Sequence, residues 1–272
     1  MPFRLLFAEN GYVHVCGHRG NSLKAPENTL PALESARRQG ASACEIDIVL
    51  SREGEIVLSH DELLDRTTDG KGPIGDHDVP ALKTLDAGAW FSPEFAGTRI
   101  PTLAETIELA RALGLGLVIE IKERRRLDEA IARLGAVLDA MQAVEDVVLL
   151  SFDHPSLLRV KERIPGARIE IITHARHVDI VAVARAAAAD SISIELDMLQ
   201  ADDARALAAA GIGIRCHLPR PAWLAHQETY GLDPTAELVT ALGHGAISSL
   251  SGDDVSFLRE FLLRHGLPTP PV

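Results

Sequence analysis

Three short polar motifs near the start of the chain carry residue types suited to chemistry on a phosphate ester. His18 and Arg19 follow one apolar run, Glu45 and Asp47 lie within the next, and His60 closes a third. Carboxylates bind divalent metals, imidazoles transfer protons, and a guanidinium binds phosphate oxygens. Their closeness in sequence predicts one site that handles a phosphate ester.

Apolar runs rich in β-branched residues alternate along the chain with stretches of helical spacing. Eight runs predict strands: Tyr12–Cys16, Ala43–Val49, Leu115–Ile121, Val147–Ser151, Arg168–Thr173, Ser191–Glu195, Ile212–Cys216 and Ala246–Ser249. Eight segments predict helices: Thr29–Gln39, Leu103–Leu113, Leu127–Met141, His154–Arg163, Val178–Ala188, Ala201–Ala210, Thr235–Leu242 and Asp254–Arg264. This alternation predicts a (β/α)8 TIM barrel, with a doubly wound open sheet as the alternative.

Two segments interrupt the alternation. A turn and a short strand, Glu55–Ser59, follow the second run, so His60 is expected at the end of a hairpin. Residues 65–101 are rich in Gly, Pro, Asp and Thr, which predicts an ordered insertion over the site. In the second interruption, residues 217–236, Trp223 and Tyr230 either stack on a sugar or anchor the loop in the core. We find no linker and expect a single domain, 1–272, with a subdomain at roughly 65–101.

Composition and charge exclude several classes of protein. The chain of 272 residues has a formal net charge of −12, which argues against a nucleic-acid binder. No apolar run is long enough to cross a membrane. The first ten residues lack the apolar core of a signal peptide. An odd number of cysteines, Cys16, Cys44 and Cys216, predicts buried free thiols and a cytoplasmic location. Whether the protein forms an oligomer is left open.

The ends of the barrel strands are where an active site is expected. Glu45 and Asp47 are two residues apart and share one strand face, as do Glu120 and Lys122. Three carboxylates that interrupt apolar strands predict a hard-oxygen site for one divalent cation, Mg²⁺ or Ca²⁺. The alternative is a structural network in which Glu45 pairs with Arg19 and Glu120 pairs with Lys122.

The two strand-end histidines suit acid–base catalysis. His18 and His60 would stand on opposite sides of a scissile P–O bond, one as base and one as acid. No zinc-binding, nucleotide-binding or nucleophile-elbow motif occurs. Other histidines without such neighbours are interpreted as structural, among them His14, His154, His174 and His244.

With these motifs the chain resembles the glycerophosphodiester phosphodiesterase family. The matching motifs, in the family order, are H-R-G at 18–20, P-E-N-T at 26–29, E-x-D at 45–47, H-D at 60–61, E-x-K at 120–122 and S-F at 151–152. The resemblance covers roughly residues 12 to 155, and the combination is far more specific than any single motif.

The resemblance implies a TIM barrel with a small insertion and an enzyme of lipid metabolism. It implies hydrolysis of a small-molecule glycerophosphodiester to an alcohol and a phosphomonoester such as glycerol 3-phosphate. Direct attack by water and attack by a neighbouring hydroxyl, through a cyclic phosphate, both remain open. The implied roles are metal ligation by Glu45, Asp47 and Glu120, acid–base catalysis by His18 and His60, phosphate binding by Arg19 and Lys122, and support by the nearby Asn28 and Asp61.

The C-terminal half departs from the family pattern. The seventh strand ends in R-C-H-L at 215–218 instead of a W-T-V-N-like run, and S-S-L-S-G at 248–252 stands where T-D-x-P is common. Arg215 and His217, with Glu195 at the end of the sixth strand, would then bind a sugar or a second anionic group. Alternatively, Arg215 pairs with Glu195 inside the barrel.

Three hypotheses besides the family activity follow. The same chemistry on a sugar phosphodiester of the agrocinopine kind is the first. A phosphodiester-binding protein without turnover is the second. A lyase like the venom sphingomyelinase D enzymes, which share the barrel and the paired histidines, is the third.

Overall fold

Runs of Ile, Val and Leu form nine strands in the computed structural model, which describes residues 3–271. The strands are β1 His14–His18, β2 Ala43–Leu50, β3 Ile56–Leu58, β4 Gly116–Ile121, β5 Val147–Ser151, β6 Ile169–Thr173, β7 Ser191–Glu195, β8 Gly213–His217 and β9 Ser249–Gly252. All except β3 are parallel, and β1 pairs with both β2 and β9, so eight strands close into a barrel. The predicted (β/α)8 barrel is therefore confirmed, and the open sheet is not formed.

Helices separate most of the strands, and the longer ones pack on the outside of the barrel. They are α1 Phe7–Asn10, α2 Leu30–Arg38, α3 Val79–Leu82, α4 Leu103–Leu113, α5 Leu127–Ala140, α6 His154–Arg163, α7 Ile180–Ala186, α8 Ala201–Ala209, α9 Pro221–Glu228, α10 Ala236–Gly243 and α11 Val255–Arg264. One continuous apolar cluster joins the helices to the outward strand faces, and a smaller one that includes Val148 and Leu150 joins the alternate strand residues. No helix within residues 3–271 has the length and apolar character needed to cross a bilayer.

Strand register brings the polar residues of different strands together. His18 lies beside Glu45 across the β1–β2 pair. Asp47 lies beside Glu120 across the β2–β4 pair. Because side chains alternate along a strand, Glu45 and Asp47 point to the same face, which is the barrel interior. The register thus gathers the carboxylates at one mouth of the barrel.

The hairpin and the segment after it form a small apolar cluster of their own. β3 pairs antiparallel with the end of β2 and carries the chain to His60. Residues 65–101 contain α3 and two short 3₁₀ turns. Their apolar side chains, including Leu82 and Ile100, pack against Val49 and Val57 of the hairpin. The segment is therefore ordered against the barrel, on the side where β2 and β3 leave it.

Several boundaries differ from the predicted ones; β1, for example, spans His14–His18 instead of Tyr12–Cys16. β9 begins at Ser249, three residues after the predicted start; the apolar residues Ala246 and Ile247, on which the earlier start was based, are buried in the core just before the strand. The long connection after β8 contains α9, whose Trp223 packs against the core, whereas Tyr230 is 68% exposed. The three cysteines are free and buried, as predicted.

A glycine at the first turn of the barrel permits close packing of α2. Gly20 has a φ of +84°, and a Cβ there would lie 2.6 Å from the Cβ of Ala32. Gly72 has the same φ of +84° but no atom within 4 Å of such a Cβ. Substitutions at Gly20 and Gly72 therefore separate the energetic cost of a left-handed backbone from the cost of a steric clash.

We predict that Gly20→Ala lowers the free energy of unfolding by about 2–5 kcal/mol, since it adds a clash to backbone strain. Gly72→Ala, which adds strain alone, is expected to cost about 1–2 kcal/mol. Urea unfolding of the two variants measures the difference. Equal losses in both would contradict the close approach of α2.

Candidate active site

Three buried carboxylates meet at the mouth of the barrel. Oxygen atoms of Glu45, Asp47 and Glu120 all lie within 4.8 Å of one another. Glu45 Oε1 and Asp47 Oδ1 are buried without a hydrogen-bond partner. Burial, followed by repulsion from Asp47, raises the pKa of Glu45 to about 7, and burial also raises the pKa of Glu120. Such a set of unpartnered hard oxygens fits a divalent cation.

Two cations border this acidic triad. Lys122 Nζ is 2.7 Å from Glu120 Oε1 and 3.4 Å from Asp47 Oδ1. Arg19 Nε is 3.4 Å from Asp47 Oδ2, within ion-pair distance but without hydrogen-bond geometry. The Arg19 backbone N–H donates to Glu45 Oε2 at 3.0 Å. Of the two ion pairs in the predicted alternative, Lys122 with Glu120 is present, whereas the Arg19 guanidinium pairs with Glu27 and Asp47 and contacts Glu45 only through its backbone N–H.

Asn28 and Arg19 hold their positions through an unusual backbone. The Asn28 side chain donates to Asp47 Oδ2 at 2.8 Å and accepts from the Asp47 backbone N–H at 3.0 Å. Both Asn28 and Arg19 have a φ of +56°, a region that Asn tolerates and Arg rarely adopts. The Asn28 N–H donates to the Arg19 carbonyl at 3.0 Å. This strained turn aims the Arg19 N–H at the triad.

His18 is oriented by an aspartate from the other end of the chain. Its Nδ1 lies 2.7 Å from Asp253 Oδ1, and an ionised carboxylate only accepts, so Nδ1–H donates. Asp253 also accepts from Ser22 and Arg220. Burial acts to lower the pKa of His18, but the bond to Asp253 and the charge of Glu45 outweigh it, and the pKa is raised.

Asp253 is not among the predicted site residues, because the last strand was predicted to end at Ser249. Asp253 directly follows β9, which ends at Gly252. The chain therefore does carry an aspartate immediately after its eighth barrel strand.

His60 is oriented by its neighbour in sequence. Its Nδ1 donates to Asp61 Oδ1 at 2.7 Å, and Asp61 Oδ2 accepts from Arg66 Nε at 2.6 Å. The bond from Arg66, with help from His60, lowers the pKa of Asp61 to about 2. His60 and His18 line the same cleft of about 370 Å³, together with Glu45 and Glu120 of the triad.

The far wall of this cleft comes from β5 to β8. Phe152 stacks on His174 with 4.8 Å between ring centroids. Glu195 Oε1 lies 3.3 Å from His174 Nδ1, and burial raises the pKa of Glu195. His174 was interpreted as structural, yet it lines the cleft. It directly follows β6, which ends at Thr173, so the strand-end rule that selected His18 was available for it too.

The two polar residues of β8 have different surroundings. Arg215 is buried, and its Nη2 and Nε contact Glu170 Oε1 at 2.6 Å and 2.8 Å. The alternative prediction that Arg215 pairs with Glu195 was therefore wrong, because Glu170 on β6 faces Arg215 in the barrel interior. His217 packs edge-on against His18, and burial and the His18 charge lower its pKa to about 4.

We predict that Arg215→Met alone lowers the free energy of unfolding by about 3–5 kcal/mol, because it leaves the Glu170 charge buried and unpaired. Adding Glu170→Met is expected to recover most of this loss, since the double variant buries no charge there. Urea unfolding of the single and double variants measures both. A double variant as unstable as the single one would contradict the view that the unpaired Glu170 charge causes the loss.

Comparisons with known proteins agree with this geometry. Residues 18–220 match the sequence model of the glycerophosphoryl diester phosphodiesterase family. Glycerophosphodiester phosphodiesterase from Caldanaerobacter subterraneus is 40% identical over 159 residues, which is 58% of this chain and 65% of that protein. The enzyme of the same name from Bacillus altitudinis is 32% identical over 161 residues, 58% of this chain and 66% of that protein. These matches span just under two thirds of the relatives' lengths.

Solved structures resemble the chain over nearly all of its length. A phosphodiesterase from Oleispira antarctica, in complex with the product sn-glycerol-3-phosphate, has a TM-score of 0.78 and 28% identity, with coverage of 93% of this chain and 98% of that one. A glycerophosphodiester phosphodiesterase from Agrobacterium tumefaciens has a TM-score of 0.73 and 27% identity, with 91% and 99% covered. Because the family match covers well over half of the residues, the chain belongs to the glycerophosphoryl diester phosphodiesterase family.

Proposed function

We propose that the protein hydrolyses glycerophosphodiesters with the help of one divalent cation, using His18 and His60 as the acid–base pair. One observation carries the proposal. Two imidazoles, each anchored through Nδ1 to a carboxylate, open onto one cleft with Glu45 and Glu120 of the acidic triad. The names of the relatives and the sn-glycerol-3-phosphate in the Oleispira structure support the same substrate class.

The anchoring decides which nitrogen of each ring is available. Because Nδ1–H donates to Asp253 or to Asp61, Nε2 of each histidine is the nitrogen left to exchange a proton with a ligand. A ring fixed by a carboxylate keeps its orientation and stabilises the charged imidazolium. One ring can therefore serve as base and the other as acid.

The reaction needs two proton transfers around the phosphorus atom. Nε2 of the first imidazole takes the proton from the attacking hydroxyl, which is either water or a neighbouring hydroxyl of the substrate. The new P–O bond forms as the bond to the departing alcohol breaks, and Nε2 of the second imidazolium gives that alcohol its proton. Each transfer is worth roughly 10²–10⁴-fold in rate.

Negative charge on the phosphoryl oxygens needs compensation in this acidic cleft. Arg19 and Lys122 line it and keep 18% and 16% of their side chains exposed, so both are accessible to a phosphate. Glu45, Asp47 and Glu120 would hold the cation, which when bound supplies Lewis-acid stabilisation of the phosphoryl charge. The two side-chain cations then bind and orient the ester.

The sugar-diester alternative loses part of its motivation. It rests on the unusual ends of the last two barrel strands, and Arg215 lies in one of them. The Arg215 guanidinium, offered for a sugar or a second anion, is already engaged by Glu170. Glu195 and His217 remain candidates for contact with the alcohol groups, since both line the cleft.

We predict that the metal-supplemented protein converts glycerophosphocholine to glycerol 3-phosphate and choline. His18→Ala and His60→Ala are each expected to lower kcat by roughly 10²–10⁴-fold, because each removes one proton transfer. His244→Ala, at an exposed position after α10, is the matched control. Phosphorus NMR of the products also reveals a cyclic phosphate if a substrate hydroxyl attacks first.

A panel of diesters tests the substrate class. Faster turnover of agrocinopine-like sugar diesters than of glycerophosphocholine would favour the sugar alternative. Tight binding with no product from any diester would favour a binding protein without turnover. A cyclic phosphate that is never hydrolysed would indicate a lyase.

We predict that the triad binds one Mg²⁺ or Ca²⁺ per chain. Glu45→Gln and Asp47→Asn should each weaken binding more than about 10-fold, since even outer-shell changes at metal sites cost that much. Isothermal titration with each ion measures the affinity, and Glu228→Gln, an exposed residue of α9, is the control. At 100 times the dissociation constant, the ion should also stabilise the fold by about 2.7 kcal/mol. Unchanged binding in both triad variants would contradict the site.

A further inference from the structure

Arg66, at the start of the inserted segment, lies between two acidic residues beside the cleft. Its Nε donates to Asp61 Oδ2 at 2.6 Å. Its Nη1 and Nη2 donate to the two carboxylate oxygens of Glu27 at 2.7 Å and 2.8 Å. Neither Arg66 nor Glu27 has a role in the reaction described above.

The contacts of Arg66 continue to both sides of the proposed reaction centre. Asp61 accepts from His60 Nδ1 at 2.7 Å through its other oxygen. Glu27 Oε1 also accepts from Arg19 Nη1 at 2.9 Å. An unbroken series of charged hydrogen bonds thus joins the imidazole of His60 to the guanidinium of Arg19, with Arg66 at its centre.

The geometry requires an arginine at the centre. A planar guanidinium presents several N–H groups in a fixed fork, whereas an ammonium is a single point charge on a flexible stem. Three nitrogens of Arg66 each contact a different oxygen, and Glu27 is only 12% exposed. This differs from an isolated surface pair, which contributes little and does not fix a geometry.

Charge balance gives Arg66 a second effect. Glu27 lies beside Arg19, so on its own it would neutralise the cation that is to bind phosphate. Burial acts to raise the pKa of Glu27, but the bond from Arg66 and the charges of both arginines outweigh it, and the pKa is lowered. With Arg66 as the second partner of this ionised carboxylate, the positive charge of Arg19 stays available to a ligand.

We propose that Arg66 is a positioning residue that fixes His60 through Asp61 and Arg19 through Glu27. This inference rests on the proposed function, since it concerns the groups that would act on the diester. It links the inserted segment to catalysis, because Arg66 of that segment contacts both Asp61, which holds His60, and Glu27, which holds Arg19.

The test compares Arg66→Ala and Arg66→Lys with Arg99→Ala. Arg99 is also in the insertion and bonds only the carbonyls of Thr84 and Leu85 among the described residues. Arg66→Ala is expected to lower kcat/KM for glycerophosphocholine by about 10–100-fold, because displaced catalytic groups cost that much. Arg66→Lys should recover little, and millimolar guanidinium should partly restore Arg66→Ala. Arg99→Ala should keep wild-type kcat/KM.

A double-mutant cycle with His60 separates positioning from general loss of structure. If Arg66 acts partly through His60, Arg66→Ala should cost clearly less in a His60→Ala background than in the wild type. If circular dichroism shows that Arg66→Ala does not fold, the kcat/KM of Arg66→Lys is compared with that of Arg99→Ala to test the positioning role of Arg66.

The outcomes are distinguishable. An active wild type with equal kcat/KM in the Arg66 and Arg99 variants would overturn this inference alone. Additive losses in the cycle together with no effect of guanidinium would do the same. A wild-type protein that cleaves no diester would overturn the proposed function and this inference with it.

Discussion

The mutual repulsion of three buried carboxylates is the constraint on which the rest of the site depends. Their oxygens lie within 4.8 Å of one another, where a pair of unit charges repels by about 3 kcal/mol at an effective dielectric constant of 20. Three such pairs approach the whole stability of a typical domain, about 5–15 kcal/mol. Lys122 and Arg19 at the edge of the triad offset part of this energy. Glu45 Oε1 and Asp47 Oδ1, which lack hydrogen bonds, could bind a divalent cation that offsets more of it.

The closed parallel sheet makes this concentration of charge tolerable. Asp47 and Glu120 are neighbours across β2 and β4, and a slip of one residue would turn one of them out of the barrel. Each carboxylate is then fixed by further contacts, such as the two hydrogen bonds between Asp47 and Asn28. The left-handed turns at Arg19 and Asn28 are the local strain that this arrangement carries. The same strand register and hydrogen bonds therefore fix the packing and hold the charged groups at the barrel mouth.

Much of the fold and of the site could be predicted from local patterns in the sequence. Alternating apolar runs and helical spacing sufficed for the barrel, and strand-end position selected several residues that line the cleft, although His174 was interpreted as structural. The nearby partners Asp61 and Glu120 could be predicted, but Asp253 and Glu170 could not, because they come from distant sequence. Asp253 is 235 residues from His18. In addition, the apolar residues Ala246 and Ile247 led to a predicted start of the last strand that is three residues too early. Glu170 pairs with Arg215 for a similar reason: their separation of 45 residues is meaningful only once the barrel has closed.

The carboxylates that orient the two histidines come from different parts of the chain. Asp61 is adjacent to His60 in sequence, so that contact needs only the hairpin. Asp253 follows β9, the strand that pairs with both β1 and β8 and so closes the barrel. It also lies beyond residue 220, where the match to the family ends. Closure of the barrel and orientation of His18 are therefore the same structural event. A site whose most recognisable residues all lie in the first half of the chain still depends on the last strand for the hydrogen bond that sets one of its two imidazoles.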